Sequence, residues 1–235
     1  MPAVYLETFD DGPGGWLGWE SNMLGPKALE ACDGAVTSRG PWWVDYNHAP
    51  PGAGYLHVLF ALTTGRRLSE ALRVAGGANR FIEQDMPRDF TDARITVRLR
   101  GELETRGAAL CLLVQSSLNG VTVPWMLTGQ PLRVAESWTR QTMTITGDES
   151  QWTFLGARHD RQDNYNHGDL ADALRDVNAN IGFMLFPINV VPMGPLEGDP
   201  HILRPVEDYP VWRSKLPDGY VMLDEVSIEF ATGDA

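Results

Sequence analysis

Cysteine is scarce in this 235-residue chain. Cys32 and Cys111 are the only two, so a disulfide framework is excluded and at most one bridge can form. Cys111 falls inside the apolar run 108–114, where a buried free thiol is the expected state. Positive charge is also short. Nineteen Lys and Arg face thirty-one Asp and Glu, a formal charge of −12. Such a chain has no electrostatic footprint for a phosphate backbone or an anionic bilayer, so neither nucleic acid nor a membrane is an expected partner. The excess acid serves solubility instead. No apolar run approaches the ~18 residues of a helical membrane span. The opening Met1-Pro2-Ala3-Val4-Tyr5 has neither a charged leader nor an apolar stretch, and no Asn-x-Ser/Thr acceptor occurs. A cytoplasmic protein is the expectation, with a secreted mature form as the alternative.

Several catalytic signatures are missing as well. There is no nucleophile elbow, no P-loop and no Gly-rich dinucleotide fingerprint, which argues against serine acyl transfer, nucleotide hydrolysis and hydride transfer. No His-Glu-x-x-His zinc spacing is present.

What the chain does contain points to β structure. Gly 24, Pro 16 and eight Trp favour a turn-rich fold, and 43% hydrophobic residues suffice for a core. The run 94–103 alternates cleanly: Ile95, Val97 and Leu99 face one way, Arg94, Thr96, Arg98 and Arg100 the other. The run 108–116 is apolar on both faces until Gln115, as a central strand would be. Further strands are expected over 4–9, 28–38, 42–45, 54–62, 121–127, 139–146, 180–186 and 220–230. In the strand over 54–62, period two assigns Leu56, Val58, Phe60 and Leu62 to the core, and Tyr55, His57, Leu59 and Ala61 to the opposite face. Of the adjacent Trp42 and Trp43, one should be core and the other should look outward. One short helix is expected after Asp169, a plausible N-cap, with Leu170, Leu174 and Val177 on one face. The segment 65–77 reads as a second short helix or a loop. The stretch 187–217 holds seven prolines and almost no periodicity. The expected architecture is all-β: one domain over 1–235, an antiparallel two-sheet β-sandwich (jelly roll) with one or two short helices.

Both ends of the chain carry a resemblance. Glu7-Thr8-Phe9-Asp10-Asp11-Gly12 with Trp16, and Val221-Met222-Leu223-Asp224-Glu225-Val226-Ser227-Ile228-Glu229-Phe230, resemble the first and last strands of jelly-roll carbohydrate-binding modules and concanavalin-like lectin and glucanase sandwiches. The resemblance covers about forty residues. It implies that the two end strands pair, that a structural calcium sits between them on Glu7, Asp10 and Asp224, and that the partner is an oligo- or polysaccharide. The laminarinase-type Glu-x-Asp-x-x-Glu and the alginate-lyase-type Gln-Ile-His are absent. Two functions stay open: a glycan-binding jelly-roll protein, with cleavage as a glycoside hydrolase or polysaccharide lyase unresolved, or a non-catalytic lectin-like interaction domain, with an oligomer allowed.

The candidate site residues follow from side-chain chemistry. Trp43, Asn47, His48, Tyr55 and His57 crowd one stretch, where aromatic rings can stack on sugar C–H faces and polar groups can meet hydroxyls. Arg98 and Arg100 could hold a carboxylate or sulfate, with Gln115 and Trp125 expected nearby, or could form a solvated face paired with acids. His57, His167 and Tyr165 are the candidate acid/base groups. Two carboxyl groups from the Pro-rich stretch, Glu207 and Asp208, together with His201, could cover a substrate.

Overall fold

The computed structural model describes residues 2–21, 24–45, 55–156, 166–188 and 215–232. Two antiparallel sheets are formed, as the alternation predicts. The first runs β11 (Thr139–Thr144), β8 (Arg94–Glu104), β14 (Asp218–Glu229), β5 (Ala35–Arg39), β4 (Glu30–Cys32), with β1 (Val4–Glu7) also on β14. The second runs β12 (Trp152–Phe154), β10 (Val121–Leu132), β9 (Ala109–Leu118), β13 (Asn180–Ile188), β7 (Tyr55–Thr63), β2 (Trp16–Ser21), β3 (Gly25–Lys27), with β6 (Val44–Asp45) on β7. The end strands pair, Tyr5 opposite Ile228 and Glu7 opposite Val226. This is the jelly-roll β-sandwich expected from the sequence.

The core between the sheets is aromatic and aliphatic. Ile95, Val97 and Leu99 of β8 meet Leu110, Leu112 and Val114 of β9 within one cluster, and Trp16 stacks on Phe183 at 5.6 Å between ring centroids. Three helices occur among the described residues. Helix α1 (Glu70–Gly76) is capped by the Ser69 hydroxyl and resolves the 65–77 ambiguity in favour of a helix. Helix α2 (Arg80–Glu83), capped by Asn79, was not foreseen; at four residues it has too few turns for a periodic signal. Helix α3 (Leu170–Arg175) starts as expected, the Asp169 carboxylate accepting from the N–H groups of Ala171 and Asp172.

The strand β7 departs from simple alternation, and the departure matters. Phe60 pairs with Phe183 and Val58 with Met184, so Leu59 is an extra residue, a β-bulge. One inserted residue reverses the parity of everything before it. Phe60 and Leu62 face the core as expected, but so do Tyr55, His57 and Leu59, while Leu56 and Val58 turn to the outer face. There they join Cys111, Leu113, Met126, Met184 and Phe186 in a second apolar cluster. Both faces of the second sheet are therefore apolar, which explains why 108–114 lacks alternation. Burial pushes the Cys111 thiol up to about 12, so it stays protonated and inert.

Candidate functional site

The outer face of the second sheet carries a groove. β6 lies against β7 with Val44 opposite His57 and Asp45 opposite Leu56. Opposed residues share a face, so Asp45 looks outward with Leu56, and Val44 looks inward with His57. Trp43, one residue before Val44, faces outward and Trp42 inward, where its indole N–H donates to the Ser38 hydroxyl at 3.0 Å. One tryptophan of the pair is thus core and the other faces out of the sheet, although Trp43 is only 2% exposed.

Two cavities adjoin here. One of about 120 Å³ lies over Leu17, Leu56, Val58, Leu113 and Met184; one of about 210 Å³ opens at the sandwich edge and includes Trp43. Trp19 and Val58 line both. Polar side chains stand at both ends of the first cavity: Asp45 (4% exposed), beside Leu56, at one, and Gln115 (6% exposed) with Asn180, beside Thr63, at the other. Asn180 is opposite Gln115 in the β13–β9 register, and its amide donates to Gln115 Oε1 at 2.7 Å. The Trp43 indole N–H is buried and has no acceptor among the described residues. The result is an apolar trough walled by the partly buried Trp19, with a carboxylate at one end and an amide pair at the other.

The expected site residues are distributed differently from the sequence-based picture. His57 is not on the floor of this groove. It is wholly buried between the sheets, with Nδ1 2.8 Å from the Trp43 carbonyl oxygen and its ring 6.1 Å from that of Trp42. Nδ1 carries the hydrogen that this contact requires, and Nε2 has no partner among the described residues. Burial lowers its pKa to about 4, so the ring is neutral near pH 7. Tyr55 shares the inner face. His167 is exposed and stacks on Phe154 at 4.7 Å, beside β12. Four strand steps separate β12 from β7, about 19 Å at the usual interstrand spacing. His57 and His167 therefore do not share a reacting centre. Trp125 packs against Phe154 at 5.0 Å, and its indole N–H donates to the Gly168 carbonyl. It is held at the rim of the core instead of lying in the groove.

Arg98 and Arg100 lie on the outer face of the first sheet, so Gln115, on the second, is not near them. Arg98 donates to Asp224 at 2.7 Å, and Arg140 to Glu225 at 2.6 Å. Asn47, His48, Tyr165, His201, Glu207 and Asp208 lie outside the described residues.

The three carboxylates implied as calcium ligands do not converge. Glu7 turns inward, accepts from the Phe9 N–H at 2.9 Å and is neutralised by Arg80 at 3.0 Å. Asp10 is exposed and accepts from the Thr8 hydroxyl. Asp224 faces the other side of the sheet. Among the described residues no group of three or more His, Cys, Asp or Glu gathers as a metal site. Glu7, Asp10 and Asp224 do not fit as one calcium centre.

Trp19, Asp45 and Asn180 were missed as a set. Each is unremarkable alone, and only the bulge in β7 and the strand registers place them along one trough.

No protein-family model and no curated protein matches the chain. Among solved structures, one described as "CBM4 structure and function" is similar at 16% identity and a TM-score of 0.37, over 95% of this chain and 100% of that one. The L4b domain of human laminin alpha-2 is similar at 10% identity and 0.38, over 92% and 91%. A structure described under "Prominent members of the human gut microbiota express endo-acting O-glycanases to initiate mucin breakdown" is similar at 10% identity and 0.38, over 97% and 99%.

Proposed function

We propose that this protein binds a glycan in the groove on the outer face of its second sheet. The observation that carries the reading is an apolar trough with Trp19 on its wall, the Gln115–Asn180 amide pair at one end and Asp45 at the other. A pyranose ring has an apolar C–H face and an equatorial belt of hydroxyls. The first suits an indole face, the second suits planar amide and carboxylate groups.

The proposal is of binding. His57 has no access to a bound sugar, so the acid/base role considered for it is not assigned. The polar side chains of the first cavity are uncharged apart from Asp45, which favours a neutral sugar.

Calorimetric titration with neutral oligosaccharides chosen from a glycan array tests this. Trp19→Ala is expected to weaken binding about tenfold or more, the equivalent of ~1.4 kcal/mol, with the fold retained. Asn180→Ala should do the same through lost hydrogen bonds. A folded protein that binds no glycan, or binding indifferent to both substitutions, would overturn the reading.

A further inference from the structure

The opposite side of the molecule carries a second arrangement that the groove does not use. On the outer face of β8, the guanidinium carbons of Arg98 and Arg100 sit 5.2 and 4.9 Å from the ring centre of Trp138. The register explains this. Thr139 pairs with Leu99, which sets Trp138, the residue just before it, beside Arg100. Arg98 is compensated by Asp224 and Arg140 by Glu225. Arg100 is not compensated. It makes no hydrogen bond or ion pair with any described residue, and its buried Nε–H has no acceptor. The chain has thirty-one acids for nineteen bases, yet this guanidinium forms no ion pair with a described carboxylate. Arg98 and Arg140 on this face are paired with acids, while Arg100, between Arg98 and the exposed Glu102 along the strand, is in no ion pair.

We propose that Arg100, clamped by Trp138 and flanked by Arg98, is a binding site for a singly charged oxyanion of an acidic glycan: the carboxylate of a uronic acid or a sulfate ester. Stacking on the indole fixes the guanidinium plane, so its outer N–H edge is presented without further loss of rotamer freedom. That edge matches two oxygens of a carboxylate or sulfate side by side. Asp224 and Glu225 repel a ligand with more than one charge at this point, which disfavours phosphate dianions. That the ligand is a glycan rests on the reading above; the choice of residues does not.

The test is titration of the whole protein with a short oligogalacturonate, a singly sulfated neutral oligosaccharide, an acidic peptide of equal charge and an uncharged oligosaccharide. The Trp138 indole N–H resonance is followed in each. One or both anionic sugars should shift it, and their relative affinities identify the oxyanion. Arg100→Gln should weaken that binding about tenfold or more, and Arg100→Lys, which keeps charge but loses the fork, by less. Trp19→Ala should leave it unchanged, which separates this site from the groove. Failure of both anionic sugars to bind, or binding insensitive to Arg100→Gln and Arg100→Lys, overturns the proposal. An acidic peptide bound as tightly as either sugar overturns its glycan part.

Discussion

Glu7 is a carboxylate with no exposed surface, and two groups hold it: the Phe9 N–H and the Arg80 guanidinium. Its Oε2 has no partner among the described residues, and a Cβ on Gly14 would overlap that oxygen, so glycine is required there. Burial raises the Glu7 pKa, with the Phe9 N–H and Arg80 opposing, and burial raises that of the neighbouring Tyr5. Removing one member of a buried pair strands the other. Arg80→Met should therefore cost about 3–5 kcal/mol in urea unfolding, and Glu7→Gln less. His57 gives a second prediction at this scale. Its pKa falls from 6.5 unfolded to about 4 folded. Below pH 6.5 the unfolded chain takes up a proton that the folded protein refuses, so stability declines as pH falls from 6.5 to about 4. The full effect is about 3 kcal/mol. Unfolding free energies of the native protein and His57→Asn, measured at pH 7 and pH 4.5, check it. The carboxylates are common to both proteins, so the smaller pH slope expected for the variant isolates His57. An equal slope would mean that the ring charges readily, against its burial.

At the scale of elements, most strands could be read from the sequence because one face is polar. β8 is the clearest case: its arginines and its Ile95–Val97–Leu99 row sit where alternation puts them. β7 could be read as a strand but not for its faces. It is apolar on both sides, so nothing in the sequence marks Leu59 as the inserted residue, and the parity error moved His57 to the wrong side. The pair of Trp42 and Trp43 was assigned correctly in kind, since neighbouring residues on an extended chain must diverge. Asn79 shows how a short element is fixed without periodicity. Its side chain accepts from the Ile82 N–H at 3.1 Å and donates to the Thr63 carbonyl at 2.8 Å, tying α2 to the end of β7. Asn79→Ala loses a cap and a cross-link together and should lower stability by about 2 kcal/mol, readable as a fall in the urea midpoint at unchanged m.

The whole molecule is two sheets whose outer faces differ in kind. The first is covered by arginine, threonine and acid, the second by an apolar cluster with polar ends. That division follows from strand composition, and the sandwich itself followed from it. The groove did not, because it depends on a bulge, a register and a two-residue strand, β6, none of which has a sequence signal. The resemblance of the end strands anticipated their pairing but not their charges: Arg80 occupies the position at Glu7 where a cation was expected. Function then rests on which outer face meets a ligand. The most direct measurement is a residue-resolved amide and indole N–H spectrum during titration with a neutral oligosaccharide that binds. The account predicts that the Trp19 indole signal and the Asn180 side-chain amide move together, while Trp138 stays still. Shifts confined to Trp138, or to residues remote from both faces, would contradict it.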